Sequence, residues 1–178
     1  WFEGLRGRNC FPTDHPAWRG TLAFDAPGIA KQLAGNDLVL MVGGPFFEEV
    51  WYAPGSPFPA GCKVLQIESA PARLAYNFTL DAGGVADVGA ALEARVQANA
   101  GIDGATVKAR HDTLKAQKQA EAAAQKTRVE KAWARTPTSM ARAMAEIRAG
   151  TPSDAIVVDE TITANLDLFK TFSFAGTM

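Results

Sequence analysis

The sequence predicts an α/β fold built on a partial, doubly wound parallel sheet, and three observations support this prediction. Residues 38–43 form an apolar run between the polar pair Asn36-Asp37 and a Gly-Gly-Pro turn, which is typical of a strand buried on both faces. Strands of that kind belong to parallel sheets. A helix pattern precedes the run, and a second aliphatic run at 63–67 follows it after a crossover.

The helix that precedes the first strand carries signals for both of its ends. Asp25 is suited to cap the N-terminus, and Pro27 lies in the first turn. Gly35 stands at the position that follows a helix C-terminus. We therefore expect a helix that leads directly into the strand at 38–43.

The remainder of the first hundred residues completes the α/β pattern. Residues 1–24 are apolar but interrupted by glycine and proline, so we expect them to pack as a loop over a domain edge. A short helix with Ser69 as its N-cap is predicted after the second strand. A third short strand is predicted at 83–87, where it ends in an acidic N-cap, and the helix that follows is expected to stop at Gly101.

The composition changes after residue 102. Residues 103–135 are rich in Ala, Lys, Gln, Glu and Arg with a thin apolar stripe, which predicts a long and mostly solvated helix. We interpret its charges as a solvated face, and His111 as a lone surface histidine. A further helix is predicted at 140–149, with Gly150 as its stop. Its apolar face is expected to consist of Met140, Ala143, Met144 and Ile147.

A second α/β unit is predicted to begin near the end of the sequence. Residues 155–158 have the pattern of a buried strand, and a polar stretch at 159–163 follows and opens a helix. Phosphates bind at such positions, because free backbone N–H groups and the helix dipole point there. Threonine hydroxyls are suitable donors to a phosphate, whereas the carboxylates need a cation or a hydrogen-bonding partner. The alternative, favoured by residue type alone, is that Asp159 or Thr161 only caps the helix.

Composition excludes several classes of partner. The net charge is −1, with 18 basic and 19 acidic residues, so no charge pattern for nucleic acid or a membrane surface is present. The sequence contains neither an apolar run of spanning length nor the pattern of a signal peptide. Cys10 and Cys62 lie far apart and outside any metal-binding spacing, which predicts plain thiols in a reducing, cytoplasmic protein. The missing initial methionine and the abrupt end predict a fragment.

Several segments, in order along the chain, resemble the central domain of thiamine-diphosphate-dependent enzymes, in particular benzoylformate decarboxylases and acetolactate-synthase-like proteins. The segments are 10–20, 33–45 and 52–55. Residues 155–165 are similar to the first strand and loop of the diphosphate-binding domain that follows in this family. The resemblance implies three regions. They are the second half of a central, Rossmann-like domain at 1–101, a helical connection at 102–137, and the truncated beginning of the diphosphate-binding domain at 138–178.

The resemblance also implies a cofactor and residues that contact it. The complete enzyme is expected to bind thiamine diphosphate and Mg²⁺. Thr163, and more weakly Thr161, match residues that donate to the diphosphate, and Asp159 and Glu160 match the acidic or amide pair before them. The sequence contains neither the activating glutamate's domain nor the Gly-Asp-Gly metal motif of the family. No catalytic or metal residue is therefore assigned. We expect that this chain alone is inactive and that it binds no cofactor.

The substrate is expected to be a 2-keto acid or a related carbonyl compound, and the complete enzyme a homo-oligomer that acts as a decarboxylase or a carboligase. Benzoylformate decarboxylases carry a catalytic histidine where this sequence has Val50, flanked by Glu48, Glu49 and Trp51, so benzoylformate itself is a doubtful substrate. His15 is interpreted as structural. The alternative hypothesis is a stand-alone nucleotide-binding or structural α/β module, although no Gly-x-Gly-x-x-Gly motif follows a predicted strand.

Overall fold

The structure is a computed structural model that describes residues 2, 11–44 and 53–174. Its elements are α1 (Ala26–Leu33), β1 (Leu38–Val42), β2 (Lys63–Glu68), a 3₁₀ turn (Pro71–Arg73), β3 (Ala82–Val85), α2 (Val88–Ala98), α3 (Gly104–Ala132), α4 (Met140–Gly150) and α5 (Asn165–Thr171). The chain divides into two compact units. We call them the sheet unit, described over residues 2, 21–44 and 53–103, and the helical unit, described over 11–20 and 104–174.

The sheet unit contains three parallel strands in the order β1-β2-β3. Leu38 of β1 lies opposite Lys63 of β2, and Leu65 of β2 lies opposite Ala82 of β3. The predicted α/β class and the parallel arrangement are confirmed. The described strands follow the order of the chain and contain no reversal of that order.

The first strand is less buried than its sequence predicts. Of the five residues of β1, Met41 is buried, whereas Leu38 is 42% exposed. Among the described strands, β2 alone has a neighbour on both sides, and it buries Val64, Gln66 and Glu68. The prediction that residues 38–43 are covered on both faces is therefore wrong for the described chain, since Met41 is the one fully buried residue of β1.

The first helix forms as predicted. The carboxylate of Asp25 accepts a hydrogen bond from the N–H of Gly28 at 2.6 Å and so caps α1. Gly35 follows the helix with φ +80°, a left-handed conformation that glycine adopts without steric cost. The helix buries Ile29 and Leu33.

The helix predicted after β2 shrinks to a single 3₁₀ turn, Pro71–Arg73. Ser69 does not cap it, because the N–H and the hydroxyl of Ser69 both donate to the carboxylate of Glu68. The turn ends before Ala75, which has φ +56° and cannot continue a right-handed helix. The prediction of a longer helix capped by Ser69 is therefore wrong.

The third strand and the helix after it are confirmed. The strand occupies Ala82–Val85, and Asp87 caps α2 by accepting from the N–H of Ala90 at 2.8 Å. The helix ends at Ala98, three residues before the predicted stop at Gly101, and the N–H of Asn99 closes its last turn.

The helical unit begins with the long helix that the composition predicts. None of the residues of α3 is buried. Ser139 caps α4 by accepting from the N–H of Arg142 at 3.2 Å. Ala141 and Met144 are the buried residues of α4, whereas Met140 and Ile147 are exposed, so the predicted apolar face is wrong in part. The buried face follows the contact with α5, where Met144 packs with Ala164, Leu168 and Phe172.

The segment 11–20 packs as a loop within the helical unit. The N–H of Thr13 donates to the carbonyl of Phe174 at 3.0 Å, and the N–H of Phe174 donates to the Thr13 hydroxyl at 2.7 Å. Lys118 of α3 donates to the Thr13 carbonyl at 2.6 Å and lies over the ring of Trp18. Burial is the main cause that lowers the pKa of Lys118. This segment is thus held by one helix and by the residues that follow α5.

The predicted strand at 155–158 is absent from the structure. Ile156 and Val158 are 89% and 85% exposed, while Val157 packs against the small core of the helical unit. A strand needs a neighbour to take its backbone hydrogen bonds, and no strand is found in the described part of this unit. The prediction of a buried strand is therefore wrong for the described chain. No described helix is both long and apolar enough to cross a membrane.

Candidate functional site

The candidate cofactor-binding segment, residues 159–165, lies immediately before α5. This helix begins at Asn165, and its N-cap is Ala164, whose side chain makes no capping bond. The predicted helix start at 159–163 is therefore wrong. The alternative that Asp159 or Thr161 caps the helix is also wrong, because both residues lie outside its first turn.

The carboxylate of Asp159 organises this segment. Its Oδ1 accepts hydrogen bonds from the N–H of Thr161 at 2.8 Å and from the Thr161 hydroxyl at 2.7 Å, and its Oδ2 accepts from the Asn165 amide at 2.8 Å. Partial burial raises the pKa of Asp159, but these hydrogen bonds together outweigh it and lower the pKa. Asp159 is therefore an ionised carboxylate that closes the loop on itself.

The two threonines differ in what they can offer a ligand. Both donors of Thr161 are used by Asp159. Thr163 is exposed, and its hydroxyl has no hydrogen-bonding partner among the described residues. Glu160 is exposed as well. Of the four residues singled out in the sequence, Thr163 is thus the one whose hydroxyl remains available to an anionic ligand.

The segment fits a diphosphate only in part. Thr163 provides a neutral donor, but Asp159 and Glu160 place negative charge within four residues of it, which opposes a diphosphate unless a cation offsets the charge. No group of three or more His, Cys, Asp or Glu residues that could hold a metal ion occurs in the described chain. The segment therefore supplies donors but lacks a cation site of its own.

Helix α5, which follows this segment, is held by an ion pair and by apolar packing. Arg128 of α3 forms an ion pair with Asp167 in the first turn of α5, and it also donates to the side chain of Gln125. Leu168 on the next position belongs to the core that α5 shares with α4. These contacts set the orientation of α5, and hence of the loop that leads into it.

A second polar arrangement lies at the carboxyl ends of β1 and β2, and the sequence analysis missed it. Glu68 ends β2 and is only 1% exposed. Its Oε1 accepts from the N–H groups of Ser69 and Ala70, at 2.9 and 3.0 Å, while its Oε2 has no partner among the described residues. Arg73 donates to the carbonyl of Gly44 at 3.3 Å beside it. The sequence feature that could have indicated this arrangement is an acidic residue, Glu68, at the end of a predicted strand.

The two histidines lie close to each other, although the sequence predicts that His111 is a lone surface residue. The rings of His15 and His111 lie 6.1 Å apart, so His111 is exposed but not alone. The Nδ1 of His15 accepts from the N–H of Ala17 at 3.1 Å, which agrees with a structural role. Cys62 is a free thiol. Five residues of interest fall outside the described residues, namely Cys10, Glu48, Glu49, Val50 and Trp51.

Comparison with known proteins identifies relatives of both units. Residues 1–94 match the family model described as thiamine pyrophosphate enzyme, central domain. Over 97 residues, 54% of this chain, the sequence is 37% identical to a benzoylformate decarboxylase of Pseudomonas aeruginosa. The match covers 18% of that relative, less than a fifth of its length.

Solved structures agree with this result over a longer part of the chain. A thiamine diphosphate-dependent 4-hydroxybenzoylformate decarboxylase of Rhodococcus jostii matches with a TM-score of 0.62 and 25% identity, over 93% of this chain and 28% of that one. Two further structures match in fold, each over 93% of this chain. They are a putative thiamin diphosphate-dependent enzyme of Mycobacterium smegmatis (TM-score 0.66, 24% identity, 29% of that chain) and a benzoylformate decarboxylase of Polynucleobacter necessarius (TM-score 0.66, 17% identity, 28% of that chain).

Proposed function

Since this chain belongs to the thiamine pyrophosphate enzymes, whose central domain it matches over residues 1–94, we propose that it works as part of a thiamine-diphosphate-dependent enzyme. The proposed substrate is a 2-keto acid or a related carbonyl compound, and the reaction is a decarboxylation or an acetolactate-synthase-like carboligation. The observation that carries this proposal is the 37% identity with a benzoylformate decarboxylase. The assignment of residues 1–101, 102–137 and 138–178 to successive regions of such an enzyme is part of the proposal.

Thiamine diphosphate would supply the carbanion chemistry, and the protein would supply binding, orientation and electrostatics. In this proposal the Thr163 hydroxyl donates to the diphosphate. Asp159 acts as a positioning residue, because its hydrogen bonds from Thr161 and Asn165 set the shape of the loop. Glu160 would lie next to the phosphates, and a Mg²⁺ ion held by other parts of the enzyme would offset its charge.

We further propose that this chain alone binds the cofactor only weakly and is inactive. Its described residues provide hydroxyl and N–H donors but no cation site, and a diphosphate bound without a cation keeps its full charge. A calorimetric titration with thiamine diphosphate and Mg²⁺ tests this directly, and micromolar affinity would contradict it. The working enzyme is proposed to be a cytoplasmic homo-oligomer.

The assignment of Thr163 is tested by Thr163→Val in an enzyme that contains this chain with its remaining domains. The substitution is nearly isosteric and removes one hydrogen bond to a charged acceptor, which is worth about 1.5 to 3 kcal/mol, so cofactor affinity should fall roughly ten- to a hundredfold. The measurement is the dissociation constant of thiamine diphosphate at saturating Mg²⁺.

Thr161→Val is the matched control. Its hydroxyl donates to Asp159 at 2.7 Å, so the loss of this bond should lower stability by about 1 kcal/mol. The N–H of residue 161 still donates to the same carboxylate oxygen and keeps the shape of the loop, so cofactor affinity should stay unchanged. If Thr163→Val binds the cofactor as well as the parent, the role carried over to Thr163 is wrong. The family assignment would stand in that case, because it does not depend on this residue.

A second candidate function, nucleotide binding by the sheet unit, is favoured by one observation. The carboxylate of Glu68 lies at the carboxyl end of a parallel strand, where α/β folds bind ligands, and its buried Oε2 has no partner among the described residues. Titration with ADP, followed by NMR at the amides of Gly44 and Glu68, tests it. Binding that Glu68→Gln weakens at least tenfold would support this function, and unchanged amide shifts would exclude it.

A further inference from the structure

A cavity of about 310 Å³ lies on one face of the sheet and shares Arg73 with the polar arrangement around Glu68. Met41 of β1 and Gln66 of β2 are register partners, so both side chains point to the same face, and they form its floor. The connection from β2 to β3 forms the wall through residues 72–78. All residues that line the cavity belong to the described part of the sheet unit.

The wall of the cavity is held in one shape by Gln66. This buried side chain donates from Nε2 to the carbonyl of Arg73 at 3.2 Å, and its Oε1 accepts from the N–H of Ala75 at 3.0 Å. Ala75 has φ +56°, a left-handed conformation that is costly for a residue with a Cβ. A residue keeps such a conformation only where its surroundings enforce it, and enforced conformations concentrate at ligand sites. The cavity is therefore preformed.

The lining suits an aromatic ring. Met41 is buried and provides a polarisable thioether, which makes favourable contacts with aromatic groups. The ring of Phe78 is fixed edge to face against Phe58, with 5.1 Å between the centroids. Tyr76 is 78% exposed at the rim, where a ligand would cover part of its ring.

The cavity also carries one positive charge. Arg73 is the charged residue of the described lining, and no acidic residue lines it. The guanidinium is exposed and uses Nη1 for a bond of 3.3 Å to the Gly44 carbonyl, while its other N–H groups can form the paired bonds that a carboxylate accepts.

We propose that this cavity binds a small aromatic carboxylate, with the ring between Met41 and Phe78 and the carboxylate on Arg73. The volume lies at the lower end of the range for ligand cavities, which suits a single ring with a short acidic group. This site goes beyond the proposed function and does not rest on it, because it lies in the sheet unit, whereas the candidate cofactor segment lies in the helical unit.

The test is a titration of the chain with benzoate, followed by ¹H–¹⁵N NMR. Binding in the millimolar range is expected to shift the amides of residues 72–78, while the amides of residues 159–165 stay in place. Benzamide has the same ring without the charge and should bind roughly five- to tenfold more weakly, as expected for an exposed charge pair. Equal binding of the two compounds, or no shift of the 72–78 amides at millimolar benzoate, would overturn the proposal.

Two variants identify the residues responsible. Arg73→Gln should weaken benzoate roughly five- to tenfold and leave benzamide unchanged, since only the charged contact is lost. Arg95→Gln, an exposed arginine of α2 outside the cavity, is the matched control and should change neither. Tyr76→Ser should weaken both compounds about threefold by removing the aromatic rim. If benzoate binds Arg73→Gln as tightly as the parent, the site does not recognise carboxylates.

Discussion

The sheet unit and the helical unit differ in how they satisfy their backbones. In the sheet unit, β2 pairs through hydrogen bonds with strands on both sides, so the segments with a strand-like sequence pattern form strands. In the helical unit, residues 155–158 have the same kind of pattern but find no neighbouring strand among the described residues, and they form none. The comparison teaches that an apolar run specifies extended backbone, and that a partner within reach decides whether this backbone becomes a strand.

The two units also differ in what lies inside them. The sheet unit buries a side chain such as Ile29 completely, and even a carboxylate, that of Glu68. The described helical unit buries six apolar residues, but each keeps 2 to 8% exposure, and partly exposed contacts such as Arg19–Glu121 and Lys118–Thr13 are added to them. The six are Trp18, Ala141, Met144, Ala164, Leu168 and Phe172. Exposed ion pairs contribute at most about 1 kcal/mol each, so we expect the helical unit to be the less stable one.

The largest effect is expected from Ile29→Ala in the sheet unit. This substitution truncates a completely buried side chain of α1 and should lower the free energy of unfolding by about 3 to 4 kcal/mol, because the sheet unit cannot collapse into the space that the side chain leaves. Leu168→Ala in the helical unit should cost about 2 kcal/mol, since Leu168 keeps 6% exposure and its surroundings can relax. Hydrogen exchange at amides of each unit measures both. Equal costs would break the contrast between the two cores.

Gly44→Ala should be nearly as damaging, although it adds only a methyl group. The new Cβ would lie 2.6 Å from Oε2 of Glu68, and that side chain cannot move without losing its bonds to Ser69 and Ala70. We expect a loss of about 2 to 3 kcal/mol in chemical denaturation. Gly84→Ala in β3 is the control, because its Cβ meets nothing within 4 Å, and it should be neutral to within about 0.5 kcal/mol. A tolerated Gly44→Ala would show that Glu68 is not tightly packed.

A smaller effect is expected from acid on the loop of the helical unit. The pKa of Asp159 is lowered in the folded state, so its stabilising contribution is present above the unfolded value of about 3.9 and is lost as the pH falls through the lower folded value. Because the side chain is largely exposed, we expect no more than about 1 kcal/mol.

Asp159→Asn should remove this acid-sensitive part of the stability curve, measured between pH 5 and pH 2 as approximate limits. Asp154→Asn, another exposed aspartate of the same unit, should keep it and serves as the control. An identical acid response in both variants would mean that Asp159 does not hold the loop.

The smallest effect is expected at Ala75. Glycine adopts φ +56° without the steric cost that a Cβ imposes, but it also raises the conformational entropy of the unfolded chain. The first effect is the larger, so Ala75→Gly should stabilise the chain by about 0.5 kcal/mol. Ala70→Gly is the control, because Ala70 has φ −105°, and it should destabilise by about 0.5 to 1 kcal/mol. Thermal unfolding measures both. Destabilisation by Ala75→Gly would show that the wall of the cavity is not strained.

The sequence by itself determined the parts of this protein whose physics is local. Asp25 and Ser139 cap helices because a side-chain oxygen reaches an N–H three residues further along the chain. Gly35 ends α1 through its own φ, and the strands β1 to β3 lie where branched and small apolar residues are grouped. The family was recognisable for a related reason, because its motifs are short and follow one another in order.

Only the tertiary structure decided which of several local choices was made. Ser69 had two possible partners, a helix N-terminus and the carboxylate of Glu68, and its N–H and hydroxyl both donate to that carboxylate. The N–H and the hydroxyl of Thr161 both donate to Asp159, so Thr163 is the threonine whose hydroxyl is available to a ligand. Met144 rather than Met140 entered the core because α5 packs on that face of α4. Each outcome depended on a partner distant in space or on competition between acceptors, and neither is encoded in residue type and spacing alone.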